Sequence, residues 1–105
     1  MTTYLQDCLS VFIDRPAEEI PDFSEAGEDW YPLMEWWLNR AGWLIHRYKA
    51  EAGDTVTGMC IAKGISPRGT YHVVIESDGE VIYDPHESGL GLVCTEYRYA
   101  ILRAT

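Results

Sequence analysis

The chain has 105 residues, and its 8 basic and 17 acidic side chains give a formal net charge of −9. That length suits one small domain, residues 1–105, which can bury enough surface to fold without a metal or a disulfide. The charge would repel phosphate backbones, so we expect no nucleic-acid partner. No apolar stretch is as long as a membrane span and no signal peptide is indicated, so we expect no membrane partner and a cytoplasmic protein. Three cysteines without Cys-x-x-Cys spacing argue against a disulfide framework and a zinc site.

The first predicted element is a helix that begins beside a cysteine. Asp7 is a favoured N-cap residue. The apolar side chains that follow, Leu9, Phe12 and Ile13, have the i, i+3, i+4 spacing of a helix face. Cys8 would then be the first helical residue, where unpaired N–H groups and the helix dipole favour a thiolate. The alternative is that Cys8 is a small buried hydrophobic residue.

An acidic segment and a second helix follow. Pro16 opens and Pro21 closes a short turn, and residues 22–28 are predicted to form an acidic loop. We interpret its carboxylates as a solvated face, with a docking site for a basic protein partner as the alternative. Asp29 or a neighbour is expected to cap a helix that stops at Gly42. The apolar stripe of this helix predicts core packing and consists of Trp30, Leu33, Met34, Trp37, Leu38 and Ala41.

Strands dominate the second half of the chain. Alternating or β-branched runs predict strands over residues 43–48, 56–62, 71–75, 80–84 and 93–102. Helices followed by strands predict an α+β domain, with the helices packed on an antiparallel sheet of about five strands.

The third and fourth strands bring a histidine and an aspartate into one hairpin. His72 lies on the first strand, Asp84 ends the second, and residues 77–79 lie between them. A two-residue turn would place the two side chains on opposite faces of the hairpin. A three-residue turn with Gly79 in the left-handed position would place them directly opposite, roughly 4.5–5.5 Å apart at Cβ. The existence of the pair therefore depends on one residue of register.

These segments resemble small papain-like cysteine peptidase domains of phages and bacteria, which are relatives of the bacteriocin-processing peptidases. The resemblance covers roughly residues 6–92, and its most specific pieces are Pro67-Arg68-Gly69 and Asp84-Pro85-His86-Glu87-Ser88-Gly89. It implies a papain-like fold, a peptide or protein substrate and no cofactor. It also implies a catalytic triad in which Cys8 is the nucleophile, His72 the general base and Asp84 the residue that orients the imidazole.

One departure from the papain-like pattern lies upstream of Cys8. Such enzymes usually carry a glutamine about six residues before the cysteine, whose amide helps to bind the oxyanion; Thr2 stands here. Gln6 is one candidate substitute, and the backbone N–H of Cys8 with an incomplete partner is another. Arg68 is either a structural turn residue or a clamp for a substrate carboxylate or carbonyl.

Three classes of function remain open from the sequence. The first is a cysteine-dependent peptidase or amidase that acts through a thioester acyl-enzyme, with water or an amine as the acyl acceptor. The second is a catalytically weak or inactive papain-like binding or inhibitor module. The third is a metal-dependent hydrolase in which His72, Asp84 and His86 form a two-histidine, one-carboxylate set.

Overall fold

The computed structural model describes residues 2–51, 53–54 and 56–104. Within them, two α-helices precede five strands. The elements are α1 (Tyr4–Ile13), α2 (Trp30–Arg40), β1 (Trp43–Lys49), β2 (Met59–Ile65), β3 (Tyr71–Ser77), β4 (Glu80–Tyr83) and β5 (Cys94–Arg103). This confirms the α+β class. None of the helices in these residues is long and apolar enough to cross a membrane.

Helix α1 begins earlier than the sequence predicted. Thr3 is its N-cap: the Thr3 hydroxyl accepts the Gln6 N–H (3.2 Å), and the Gln6 side-chain oxygen accepts the Thr3 N–H (2.7 Å). This reciprocal capping box satisfies two helix-end donors at once. The prediction of Asp7 as N-cap is therefore wrong; its carboxylate accepts a hydrogen bond from the Thr2 hydroxyl (2.6 Å). Cys8 consequently lies one turn inside the helix.

The segment between the helices is also more ordered than predicted. It contains a 3₁₀ helix over Ala17–Glu19 and 3₁₀ turns over Phe23–Asp29 that are interrupted by a kink at Gly27 (φ 61°), so the prediction of an acidic loop over residues 22–28 is wrong. Phe23 is buried in the core and anchors the second of them. The acidic side chains of this region that face solvent are Asp14, Glu18, Glu19, Glu25, Glu28 and Asp29. A basic partner for this acidic face stays a prediction.

The five strands form one antiparallel sheet in the order β1-β5-β2-β3-β4. Ile61 pairs with both Ile75 and Tyr99, and all three are buried on the side that the helices cover. Helix α1 lies against β3, and α2 lies against β1. Because β4 is at one edge and β5 is next to β2, residues 84–93 must cross from the edge of the sheet to its interior. We call these residues the crossing loop.

Strand β2 ends later than the sequence predicted. Its ladder with β3 continues to Ile65, so the predicted loop from Lys63 is confined to a tight turn after Ile65. The β2–β5 register shifts at Gly64, where a Cβ would lie 1.8 Å from the Cys94 carbonyl oxygen. Only glycine allows this close approach of two backbones. Gly64 is paired with His72, so the bulge lies beside the candidate site.

Candidate functional site

The His72 and Asp84 side chains are paired. His72 Nε2 lies 2.6 Å from Asp84 Oδ1, and the two side chains are 0% and 4% exposed. The same carboxylate accepts the backbone N–H of His86 (2.9 Å) at Oδ1 and that of Gly91 (2.8 Å) at Oδ2. Asp84 therefore holds the imidazole and the crossing loop together.

The hairpin reaches this arrangement by a register that the sequence did not predict. Ser77 pairs with Glu80, so the turn has only two residues, Asp78 and Gly79, both with positive φ (52° and 85°). Asp-Gly is well suited to such a turn, so the expected three-residue turn is wrong. A register shift beyond Glu76 leaves Ile82 as an extra residue in β4. This β-bulge reverses the facing of the residues after it and brings Asp84 to the side of His72.

Hydrogen bonding lowers the pKa of the Asp84 carboxyl. Burial alone would raise the pKa of Asp84, but the hydrogen bonds from His72 and from the backbone N–H groups of His86 and Gly91 outweigh burial and hold that pKa below its ordinary value. Because Asp84 is a carboxylate, it accepts the proton of His72 Nε2, and a neutral imidazole then carries its lone pair on Nδ1. Nδ1 is buried and has no hydrogen-bond partner among the described residues.

Cys8 is not in the environment predicted for a nucleophile. The residue is 0% exposed, and its thiol points to the Val73 carbonyl oxygen (3.7 Å). No hydrogen bond joins the thiol to His72 in the described part of the chain. Burial, and then the nearby carboxylates of Asp7 and Asp84, raise the pKa of Cys8 far above its ordinary value. The thiol is therefore protonated at neutral pH.

The Tyr4 side chain of α1 contacts the imidazole. The Tyr4 ring meets the His72 ring edge-on, with centroids 4.8 Å apart, and approaches the His86 ring at 5.9 Å. Tyr4 is the first helical residue and is 41% exposed. The sequence reasoning missed it. The Thr3-x-x-Gln6 spacing is the signal that could have located the helix start and therefore Tyr4.

The two predicted substrate-binding residues have structural partners instead. The Gln6 amide donates to the Ile20 carbonyl oxygen (2.6 Å) while its oxygen completes the capping box, so the oxygen and one of the two N–H groups are occupied. Arg68 is exposed, and its guanidinium donates to the Ser88 hydroxyl (3.2 Å). Arg68 thus links the β2–β3 turn to the crossing loop.

A cavity of about 340 Å³ opens between the helices and the sheet. We call it the aromatic cleft, and its polar and aromatic lining residues are Thr3, Tyr4, Ser24, Trp30, Lys63, Tyr71, His72 and Tyr99. The rest of the lining is largely apolar and includes Met34 and Ile61 from the core. The floor of the cleft is therefore formed by buried core residues.

The predicted alternative of a metal set is not formed. In residues 2–51, 53–54 and 56–104, no group of three or more His, Cys, Asp or Glu side chains is arranged to hold a metal ion. His72 Nε2 is hydrogen-bonded to Asp84, and His86 Nδ1 lies 2.8 Å from the Ser88 hydroxyl.

No protein-family model, curated protein or solved structure matches this chain.

Proposed function

We propose that this protein is a non-catalytic binding module with a papain-like layout, and that its ligand occupies the aromatic cleft. The observation that carries the proposal is the position of Cys8: fully buried, one turn inside α1, with its thiol on the Val73 carbonyl oxygen. A nucleophile must be reachable and ionised, and this thiol is neither.

Exposure of Cys8 would require α1 to leave the sheet. Cys8 and Leu9 are both 0% exposed and belong to the same core cluster as Val73. Burying a side chain the size of leucine stabilises a fold by about 1.5–3 kcal/mol. Lifting α1 to free the thiol would lose that burial together with the hydrogen bond from the Gln6 amide to the Ile20 carbonyl oxygen, so the closed arrangement is strongly favoured.

A second candidate function is the cysteine-dependent peptidase or amidase, and the His72–Asp84 pair favours it. In that mechanism the Cys8 thiolate attacks an amide carbonyl to form a thioester. His72 protonates the leaving amine and then activates water, while Asp84 holds the imidazole tautomer. A buried, hydrogen-bonded carboxylate next to an imidazole with a free Nδ1 is well suited to those last two roles.

Thiol reactivity separates the two candidates. We would measure iodoacetamide alkylation of each cysteine against pH by peptide mass spectrometry, in wild type and in His72→Ala. All three cysteines are free; Cys94 is exposed and serves as the internal reference, whereas burial raises the pKa of Cys60 to about 11. For a binding module we expect Cys8 to react at least about 100-fold more slowly than Cys94 until urea unfolds the chain.

The opposite result would favour the hydrolase. If Cys8 reacts faster than Cys94 near neutral pH, and His72→Ala removes that advantage, a thiolate–imidazole pair forms in solution and the non-catalytic proposal fails.

A further inference from the structure

The aromatic cleft contains a cation with no counter-ion among the described residues. Lys63 lies on β2, and its ammonium is 4.7 Å from the Trp30 ring centroid and 5.3 Å from that of Tyr71. The two rings attract the ammonium but accept none of its hydrogen bonds in the way a carboxylate does. Within the part of the chain that the structure describes, no ion pair involves Lys63 and no aspartate or glutamate lines the cleft, although the protein carries 17 acidic residues.

The register of the sheet places Lys63 at one end of the cleft floor. Ile61 precedes Lys63 by two residues and pairs with Tyr99, so all three side chains project from one face of the sheet. Ile101 follows Tyr99 by two residues on that face and pairs with Ile45. All five residues line the cleft. Two steps of two residues therefore separate the Lys63 row from the Ile45–Ile101 row, a length of about 13 Å along the strands.

The cleft between these two rows suits a hydrocarbon chain. Aliphatic side chains from both layers line it, namely Leu5, Met34, Ile45, Ile61, Val73 and Ile101. Burial of apolar surface stabilises a complex in proportion to the area covered. The cleft volume of about 340 Å³ falls within the roughly 300–1,000 Å³ range of small-ligand sites. The cleft is thus an elongated apolar chamber with one cation at its end.

The charge of the whole protein limits which anions can use this cation. The net charge of −9 opposes the approach of any anion, and it opposes a multiply charged anion most strongly. One ammonium balances one negative charge. The affinity of an anionic ligand must therefore come mainly from an apolar body that the chamber buries.

We propose that the aromatic cleft binds an aliphatic monocarboxylate. The hydrocarbon chain lies along the floor from Lys63 toward Ile45 and Ile101, and the carboxylate accepts hydrogen bonds from the Lys63 ammonium. This ligand class rests on the proposed binding function and names the ligand of the same cleft.

The first experiment compares three probes that share one hydrocarbon chain: octanoate, octanamide and octylammonium. Binding to the full chain at pH 7 is measured by isothermal titration calorimetry. We expect octanoate to bind about tenfold more tightly than octanamide, since a charge-assisted hydrogen bond distinguishes them. Octylammonium should bind no better than octanamide. Tighter binding of octylammonium than of octanoate would mean that the acidic protein as a whole, and not Lys63, selects the ligand, and it would overturn the proposal.

Variants of the cation test the carboxylate contact. We expect Lys63→Gln to abolish the preference for octanoate over octanamide and Lys63→Arg to retain it. Lys49→Gln is the matched control, because it removes an exposed lysine of β1 outside the cleft and should leave the preference unchanged. Equal binding of octanoate and octanamide by wild type, no binding of either, or a preference that survives Lys63→Gln would overturn the proposal.

Chain length tests the path of the hydrocarbon. From hexanoate upward, each methylene that the chamber buries should tighten binding about three- to fourfold, until the chamber is full. Ile45→Phe should weaken decanoate more than hexanoate, because the larger side chain occupies the end of the floor remote from Lys63. Leu44→Phe is the control: Leu44 is exposed, precedes Ile45 on the opposite face of β1 and is absent from the lining. Equal weakening of all chain lengths by Ile45→Phe would overturn this path.

The binding function and the ligand class fail in different experiments. Rapid alkylation of Cys8 would remove the non-catalytic function and leave the octanoate preference to be judged by itself. Absence of that preference with a silent Cys8 would remove the ligand class alone.

Discussion

The surroundings of His72 differ sharply between its two ring nitrogens. At Nε2, Asp84 lies 2.6 Å away and is itself held by two backbone N–H groups. At Nδ1 there is no partner among the described residues, and the candidate nucleophile Cys8 is turned to a backbone carbonyl. The part of a hydrolase-like site that positions the imidazole is therefore complete, because the β3–β4 hairpin and the loop after it build it. The part that would supply the nucleophile has to come from α1, and it is not formed.

The largest expected loss of stability comes from removing Asp84, the partner of His72 Nε2. Asp84→Ala removes the partners of His72 Nε2 and of the His86 and Gly91 N–H groups. Leaving buried donors unpaired costs on the order of 1–3 kcal/mol for each group, and relaxation of the loop recovers part of it, so we expect a loss of about 3 kcal/mol. Urea unfolding measures it. Glu87→Gln, at an exposed position of the same loop, is the control and should change stability by less than about 0.5 kcal/mol.

The same carboxylate makes stability depend on pH in a defined direction. The pKa of Asp84 is lower in the folded protein than its ordinary value, so the folded state favours the ionised form. That stabilisation is complete above the unfolded pKa of roughly 3.9 and is lost as pH falls through the lower folded value. The stability gap between wild type and Asp84→Ala should therefore be constant above about pH 5 and shrink below about pH 4. A gap that widens toward acid would contradict this sign.

A smaller loss is expected where α1 begins. Gln6→Ala removes both a capping-box contact and the hydrogen bond to the Ile20 carbonyl, and we expect a cost of about 2 kcal/mol in thermal or urea unfolding. Thr3→Ala removes the cap alone and should cost about 1 kcal/mol. Equal losses for the two variants would mean that the buried bond to Ile20 contributes nothing. This helix start matters to the comparison because it places Tyr4 beside the His72 ring and Cys8 one turn further on, in the core.

The sequence was informative about the hairpin that carries His72 and Asp84, and it was misleading about the helix that carries Cys8. The β-branched runs and the Asp-Gly turn located the hairpin. Its turn has two residues, which without a bulge would place His72 and Asp84 on opposite faces, and the extra residue at Ile82 brings the two side chains together. Local pattern does not reveal a bulge, because its position depends on how the strand pairs.

The helix start shows a different limit. Asp7 and Thr3 are both good capping residues, and only the reciprocal contact with Gln6 decides between them. A shift of four positions then moved Cys8 from an expected exposed end to a site buried against β3. That burial depends on how α1 packs on the sheet. The i, i+3, i+4 pattern does not decide whether Cys8 is the first helical residue or lies one turn further on. The sequence also ended the second predicted strand at residue 62, whereas β2 continues through the Gly64 bulge to Ile65.

Removal of the Cys8 thiol tests directly whether Cys8 has any role beyond core packing. Cys8→Ala deletes one buried sulfur atom from the core, and we expect a cost of about 1 kcal/mol, with none for the exposed Cys94→Ala. Cys8 is absent from the cleft lining, so the loss of any turnover that wild type shows would return Cys8 to the functional site.

The smallest expected change in stability belongs to Tyr4→Cys. This variant also tests most directly whether His72 can act as a base toward a thiol on α1. Tyr4 is 41% exposed, so its loss should cost less than about 1 kcal/mol. The new thiol would occupy the first position of α1, where unpaired N–H groups and the helix dipole favour a thiolate, beside the ring of His72. We expect it to be alkylated faster than Cys94 at pH 7 and to lose that advantage when His72→Ala is added.

Val11→Cys provides the matched comparison, since Val11 is 49% exposed on the same helix but lies toward its other end. If the thiol at position 4 reacts faster than the thiol at position 11 only when His72 is present, the imidazole is poised as a base and α1 merely lacks a nucleophile at the right turn. If the two thiols react alike, the buried His72–Asp84 pair serves the hairpin and its loop, and the proton-accepting role of Nδ1 falls with the hydrolase candidate.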